Sequence, residues 1–309
     1  MKAFIPIVLM TTATIAQTVQ LDQRFDLAGD RLQETQYFSM KSHYIKYTQD
    51  GDRTVQECYK ILLSCRPGLD SDLFTCHRFS MTLQDGKEKQ IPALKNWSYI
   101  FNPGEDGLDE SGQVFGIPHD KFEDLATDDG EKVDQEHSYA VYNCFIDFHG
   151  FNNAFSRPMK EGNGIEDLHY IGDRIIHDAS HTEPPVNLGS NVEAGSIFRN
   201  GEVIMQFKGL SRVNDNLCAL VGFDSGESSF TMKIKAMPDM IVETNGSSHY
   251  FGDLYVDLDS YWLVKAEMAE FVVSETDIPS MNMKVPGIIE RMVTISDISE
   301  KELKKMVGE

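Results

Sequence analysis

The clearest regularity in this chain is alternation of apolar and polar side chains through its C-terminal half. In Ser229–Ala236, Phe230, Met232, Ile234 and Ala236 alternate with Ser229, Thr231, Lys233 and Lys235. Successive side chains of a strand point to opposite faces, so the segment predicts a half-buried strand with one core face and one wet face. Glu202–Lys208 repeats the pattern through Val203, Met205 and Phe207, and Cys218–Phe223 reads as a more uniformly apolar central strand. Alternating runs in Asp253–Leu258 and Tyr261–Val273 flank a polar break at Asp259-Ser260, the arrangement of an antiparallel hairpin. Ile288–Ile295 predicts one more strand, after which Ser299 is placed to cap a short charged helix over Glu300–Met306.

The N-terminal half is β-rich but less regular. Strands are expected at Tyr37–Tyr47, Val55–Ser64, Phe74–Leu83, Trp97–Phe101 and Ser138–His149. Gly104–Glu136 is an acidic insertion, interrupted after Pro118 by a short helix over Asp120–Ala126. Ile165, Leu168, Ile171, Ile175, Ile176 and Ala179 fall on one face at helical spacing, which predicts a helix over 165–179 that ends before Pro184-Pro185. This helix separates an N-terminal region, 17–160, from a C-terminal region, 161–309. Strands that follow one another without intervening helices imply antiparallel pairing. The expected fold is therefore mainly β: a strongly curved antiparallel sheet or half-barrel with the 165–179 helix packed on it and a short C-terminal helix.

Met1–Ala16 changes the picture of where such a fold would work. Lys2 precedes the apolar run Ala3–Met10, and Ala16 follows a small-residue stretch before Gln17. This pattern predicts a bacterial-type secretory signal, hence a periplasmic or extracellular protein; a buried N-terminal strand is the alternative. The run is too short for a transmembrane anchor. The formal charge of −21 repels phosphate backbones, which argues against nucleic acid as a partner. In an oxidising compartment Cys58, Cys65 and Cys76 are close enough in sequence to pair between neighbouring strands, whereas Cys144 and Cys218 read as buried small hydrophobes.

Candidate chemistry is sparse. His177 and His181, at i and i+4 of the expected helix, project from one side and could share a metal ion, with His149 as a third ligand beside Asp147. Such a mixed set suits zinc or another divalent ion, and a metal-dependent hydrolase is the catalytic reading of it. The H-E-x-x-H pattern, glycine-rich phosphate loops and a nucleophile elbow are all missing; Ser225 in Gly222–Gly226 stands one position too late for the last. No catalytic residue is assigned, and the cofactor expectation is none, with one divalent ion as the alternative.

The hairpin Tyr255-Val-Asp257-Leu-Asp259-Ser-Tyr-Trp262-Leu-Val264-Lys265 resembles a recurring element of exported lipoprotein-localisation carriers, over roughly Val203–Val273. The chain departs from them in lacking a Pro just after the Asp and in carrying a large N-terminal region. The resemblance implies an open antiparallel half-barrel with helices over an apolar concave face. On this reading the protein binds a lipid-like or other apolar molecule without catalysis, with Phe230, Met232, Tyr255, Trp262 and Met268 lining the surface; ordinary core packing is the alternative for all five. An envelope interaction protein with a sealed core is the third reading.

Overall fold

The computed structural model describes residues 22–68, 71–101, 114–159, 162–184, 192–237 and 240–308. The expected signal segment Met1–Ala16 and part of the acidic insertion lie outside these residues. Among the described residues thirteen strands form one antiparallel sheet: β1 (Gln36–Tyr47), β2 (Arg53–Arg66), β3 (Asp72–Thr82), β4 (Glu88–Gln90), β5 (Trp97–Phe101), β6 (Arg174–Ile176), β7 (Ile197–Arg199), β8 (Ile204–Val213), β9 (Asn216–Asp224), β10 (Ser228–Met237), β11 (Met240–Asp257), β12 (Leu263–Ile278) and β13 (Met283–Asp297). The main path runs β4-β3-β2-β1-β13-β12-β11-β9-β8-β6, with β5 on β3, β10 on β11 and β7 on β10. The N- and C-terminal regions meet in the middle of this sheet, where β1 pairs β13.

The helix that packs on the sheet is α1 (Gln135–His149), prolonged by a π-helical turn over Gly150–Phe155. This corrects the expected strand at Ser138–His149. The same residues also carry a helical period: Val141, Phe145 and Phe148 are buried on one side, and Asp134 caps the first turn by accepting from the His137 backbone N–H at 2.9 Å. The expected helix at 165–179 is not formed. Ile165–Asp167 makes one 3₁₀ turn, Gly172 adopts φ +103°, which an α-helix does not tolerate, and Arg174–Ile176 continues as β6 against β8. Leu168 and Ile165 reach the core from the turn, whereas Ile176 is 55% exposed.

Helix α1 sets the curvature of the sheet. Phe145 stacks on Phe79 of β3 with ring centres 6.0 Å apart, and Phe155, further along the same helix, stacks on Phe223 of β9 at 5.5 Å. Six strand steps separate β3 from β9, roughly 29 Å in a flat sheet at about 4.8 Å per step. From Phe145 to Phe155 the helix advances only about 15 Å. The sheet therefore curls around α1, with the main apolar core between them: Phe38 and Phe74 pack on Phe148, and Phe151 packs on Phe223.

Elsewhere the alternation translates directly into structure. β10, β9 and β5 lie at or within a residue or two of their expected positions, and β11 and β12 form the expected hairpin. Its turn is held by Asp257, whose Oδ2 accepts from the Ser260 N–H at 2.9 Å and from the Ser260 hydroxyl at 2.5 Å. The charged helix α2 (Glu300–Val307) has a full capping box between Ser299 and Glu302. In the described part of the acidic insertion the short helix expected over Asp120–Ala126 is a 3₁₀ turn over His119–Phe122, and Ile117, Phe122, Leu125 and Val133 are all buried. All five cysteines are free thiols, against the expected pairing; Cys65 and Cys76 face into the apolar core. Among the described residues no helix is long and apolar enough to cross a membrane, which says nothing of strands.

Candidate functional site

A row of polar side chains crosses the concave face of the sheet. Register places Glu57 of β2, Tyr44 of β1, Arg291 of β13, Glu270 of β12 and Tyr250 of β11 directly opposite one another in turn. On one side of this row lie the fully packed residues Val293, Ile295, Ala266, Met268 and Leu254. On the other side β10–β13 run on past α1.

Arg291 is the centre of the row. Its Nε donates to Glu270 Oε2 at 2.6 Å and its Nη1 donates to Asp147 of α1, while the guanidinium lies 5.6 Å from the Tyr44 ring centre. Ser248, one pair further along β11, donates to Glu270 Oε1 at 2.6 Å. Burial pushes the Asp147 carboxyl up to about 6, opposed by Arg291 and reinforced by Glu270. Burial alone would weaken the Arg291 cation, but Asp147 and Glu270 outweigh it and hold the guanidinium more firmly protonated than usual. At the other end of α1, His137 Nε2 lies 3.4 Å from Glu57, and Lys46 pairs with Glu136. The helix is thus pinned at both ends to the same polar row.

Beyond the row the same face of the sheet stays largely apolar. Side chains of one parity point the same way, so Phe230, Met232 and Ile234 on β10 share a face with Val242 on β11, Val272 and Ile278 on β12, and Met283, Val285 and Ile289 on β13. The Phe230 ring lies across Gly246: a Cβ added there would come within 2.5 Å of it. Thr244, Ser274 and Thr276 interrupt the surface, and the two threonines hydrogen-bond each other at 2.8 Å. Met283 and Val285 are 43% and 40% exposed, and the others named are half-buried. The opposite face of these strands mixes ion pairs, Lys233 with Glu243 and Lys284 with Glu275, with the exposed apolar side chains of Ile241, Phe271 and Val273.

The residues expected to line an apolar site are distributed over three places. Phe230 and Met232 lie on the open apolar face. Trp262 and Met268 belong to the sealed core, where the Trp262 indole N–H donates to the Leu32 carbonyl at 2.9 Å and the Arg31 guanidinium sits 4.4 Å from the indole ring centre. Tyr255 lies on the opposite face of β11, with Lys265 Nζ 5.3 Å from its ring centre. Arg31 also ties the π turn down, donating to the carbonyls of Asn152 and Ser156 and to Asn153 Oδ1.

The histidines are also dispersed. His149 is fully buried on α1, its Nε2 2.8 Å from the Tyr99 hydroxyl and its Nδ1 2.7 Å from Asn153 Nδ2; burial, helped by Arg157, pushes it down to about 3. His177 lies buried in the turn after β6, its Nδ1 accepting from the Ala179 N–H at 3.1 Å, and burial, opposed by Asp178, pushes it down to about 4. His181 is exposed in a left-handed conformation, φ 59°. With no helix at 177–181 the i, i+4 geometry is lost, and among the described residues no group of three or more His, Cys, Asp or Glu side chains is placed to hold a metal ion.

Sequence reasoning reached Asp147 only as a neighbour of His149 and passed over Glu270 and Arg291. Their signal lies in the alternation itself. Ala266, Met268, Glu270, Val272 and Ile289, Arg291, Val293 each put one charge at a core-facing position of an otherwise apolar series, and a buried charge needs a partner.

No protein-family model matches the chain, and no curated protein matches it. Among solved structures, similarity is found to a loop-deletion mutant of OmpT, an outer membrane protein of Vibrio cholerae (TM-score 0.22, 7% identity, 86% of this chain and 99% of that one). It is also found to Salmonella typhi OmpF in complex with daunomycin (TM-score 0.17, 8% identity, 86% of this chain and 97% of that one). A third is a domain assigned to outer membrane lipoprotein sorting from Vibrio parahaemolyticus (TM-score 0.14, 8% identity, 90% of this chain and 92% of that one). The third shares its description with the carriers that the Tyr255–Lys265 hairpin resembles, and the resemblance is faint. Likenesses at these TM-scores carry no argument about this chain.

Proposed function

We propose that the protein is an exported, non-catalytic binder that takes a lipid-like or other apolar ligand on the concave face of its curved sheet. The observation that supports this reading is the loosely packed apolar inward face of β10–β13 beyond α1. That inward face continues the apolar series of the core without being packed to core density, whereas the outward face mixes ion pairs with single exposed apolar side chains. Solvated strands that needed only to stay soluble would carry polar residues at both parities. The chemistry of such a surface selects by shape and apolarity, because most of its positions are apolar and the Thr244 and Thr276 hydroxyls are already paired with each other. An acyl chain laid along it would contact Met232, Ile234, Val272 and Val285, and its polar end would meet the Ser248–Glu270–Arg291 row.

Native mass spectrometry of protein purified from its own host tests the reading, together with binding of an environment-sensitive apolar dye. The expected result is a co-purified apolar molecule, or saturable dye binding that is lost in Met232→Lys and Val285→Lys variants. Absence of both a co-purified molecule and dye binding would overturn it.

A further inference from the structure

We propose that a second site, on the convex face under α2, binds a small molecule through a phosphoryl group. This proposal is independent of the concave face. An open groove of about 400 Å³ runs between α2, the outer surface of β1–β3 and the Lys95-Asn96 turn before β5. It exists because α2 is moored at its ends rather than packed flat. At one end the Ile298 N–H just before the helix donates to the Tyr37 carbonyl at 2.9 Å; at the other, Arg78 donates to the Met306 carbonyl at 3.0 Å. Between them Leu303 is the one buried residue of the helix.

The floor of the groove is a row of hydroxyls. Tyr37, Ser64 and Thr75 are direct cross-strand partners on three adjacent strands, with His77 Nε2 2.8 Å from the Ser64 hydroxyl; Thr75 is also hydrogen-bonded at 2.8 Å to Ser98, which lies outside the groove. Above and beside this floor stand Arg66, Lys95 and Lys304. Lys304 is paired with Glu300 at 2.7 Å, whereas among the described residues neither Arg66 nor Lys95 makes an ion pair. In a chain of formal charge −21 a groove with three cations and one carboxylate is a local reversal of sign, and such a reversal concentrates anions.

The class of anion follows from the directions of the donors. Hydroxyls rise from the sheet, a guanidinium comes from the end of β2, and ammonium groups come from the rim and from α2. A tetrahedral oxyanion can accept from all of these at once, whereas a planar carboxylate is matched by one in-plane fork. The volume suits a phosphate ester carrying a small polar body.

Isothermal titration of the full chain in chloride buffer with inorganic phosphate, with glycerol 3-phosphate, and with phosphatidylcholine vesicles with and without phosphatidic acid tests the assignment. Saturable binding of glycerol 3-phosphate is expected, at least about tenfold weaker in Arg66→Met or Lys95→Met, since each removes a charge-assisted hydrogen bond. Val285→Lys should leave it unchanged, which separates this site from the concave face, and so should Lys265→Met, which removes a cation elsewhere on the convex face. Response only to phosphatidic acid vesicles, with the same dependence on Arg66, would identify the phosphoryl group as a lipid headgroup. No saturable signal in any arm, or binding unaffected by both substitutions, would overturn the proposal. Both positions are exposed, so folding should be intact, and circular dichroism of the variants checks that.

Discussion

Arg291 on β13 and Asp147 on α1, 144 residues apart in sequence, form a buried ion pair that joins the helix to the middle of the sheet. Because Glu270 holds the other side of the same guanidinium, removing Arg291 strands two carboxylates at once. Arg291→Met should cost about 3–5 kcal/mol, the scale for breaking a buried pair from one side. Asp147→Asn, which leaves a neutral acceptor for the guanidinium, should cost less. Urea unfolding midpoints of the two variants check the order.

The pH dependence of stability contains opposing slopes. Burial first, then repulsion from Glu302, raises Asp297 to about 6, as burial raises Asp147 to the same value. Both carboxyls therefore bind protons more tightly when folded, and their stabilising contribution, complete below about 4, is lost as pH rises through about 6. His149 and His177 act in the other direction. Lowered to about 3 and about 4, they contribute stability above about 6.5 that is lost as pH falls. Between pH 4 and 6 the two effects offset, so a nearly flat profile is expected. Asp147→Asn removes one falling component, and its stability should rise with pH by about 1 kcal/mol per unit over that range relative to the parent. Unfolding at pH 4.5, 5.5 and 6.5 measures the tilt.

Phe148 packs edge-on against both Phe38 and Phe74 and is fully buried. Phe148→Ala should lose about 3–5 kcal/mol, the cost of a large buried truncation with its cavity. Ile234→Thr on the open concave face should stay within about 0.5 kcal/mol, because that side chain is not enclosed. A large loss at Ile234 in thermal melts would mean that the face is covered.

Gly252 on β11 has no room for a side chain. A Cβ there would come within 1.9 Å of the Glu267 carbonyl on β12 and 2.9 Å of the Phe223 ring. Gly252→Ala should destabilise by roughly 1–3 kcal/mol through overpacking, and hydrogen exchange should show the loosening in the β11–β12 pairing.

Most of the sheet is legible in the sequence because its strands have one wet face. In β10 each lysine marks an outward position and each apolar neighbour an inward one. The strand expected at 138–149 and the helix expected at 165–179 fail for a common reason. Ala140, Tyr142 and Cys144 alternate as well as Val141, Phe145 and Phe148 repeat, so an apolar element buried on several sides satisfies both periods. Asp134, a helix cap, breaks the tie toward helix, and Gly172 breaks the opposite tie at 165–179. The polar row was legible only as charges out of place; no local pattern says that Glu270 and Arg291 face each other, since that follows from the register of two long strands.

The pairing of β1 with β13 also shapes how this molecule comes into being. Tyr44 and Arg291 are neighbours across it although 247 residues separate them. Until the residues of β13 have been made, β1 presents an open hydrogen-bonding edge in what will become the centre of the sheet. Formation of the sheet must therefore wait on a very distant partner, which favours slow folding and leaves a sticky intermediate for other chains to meet.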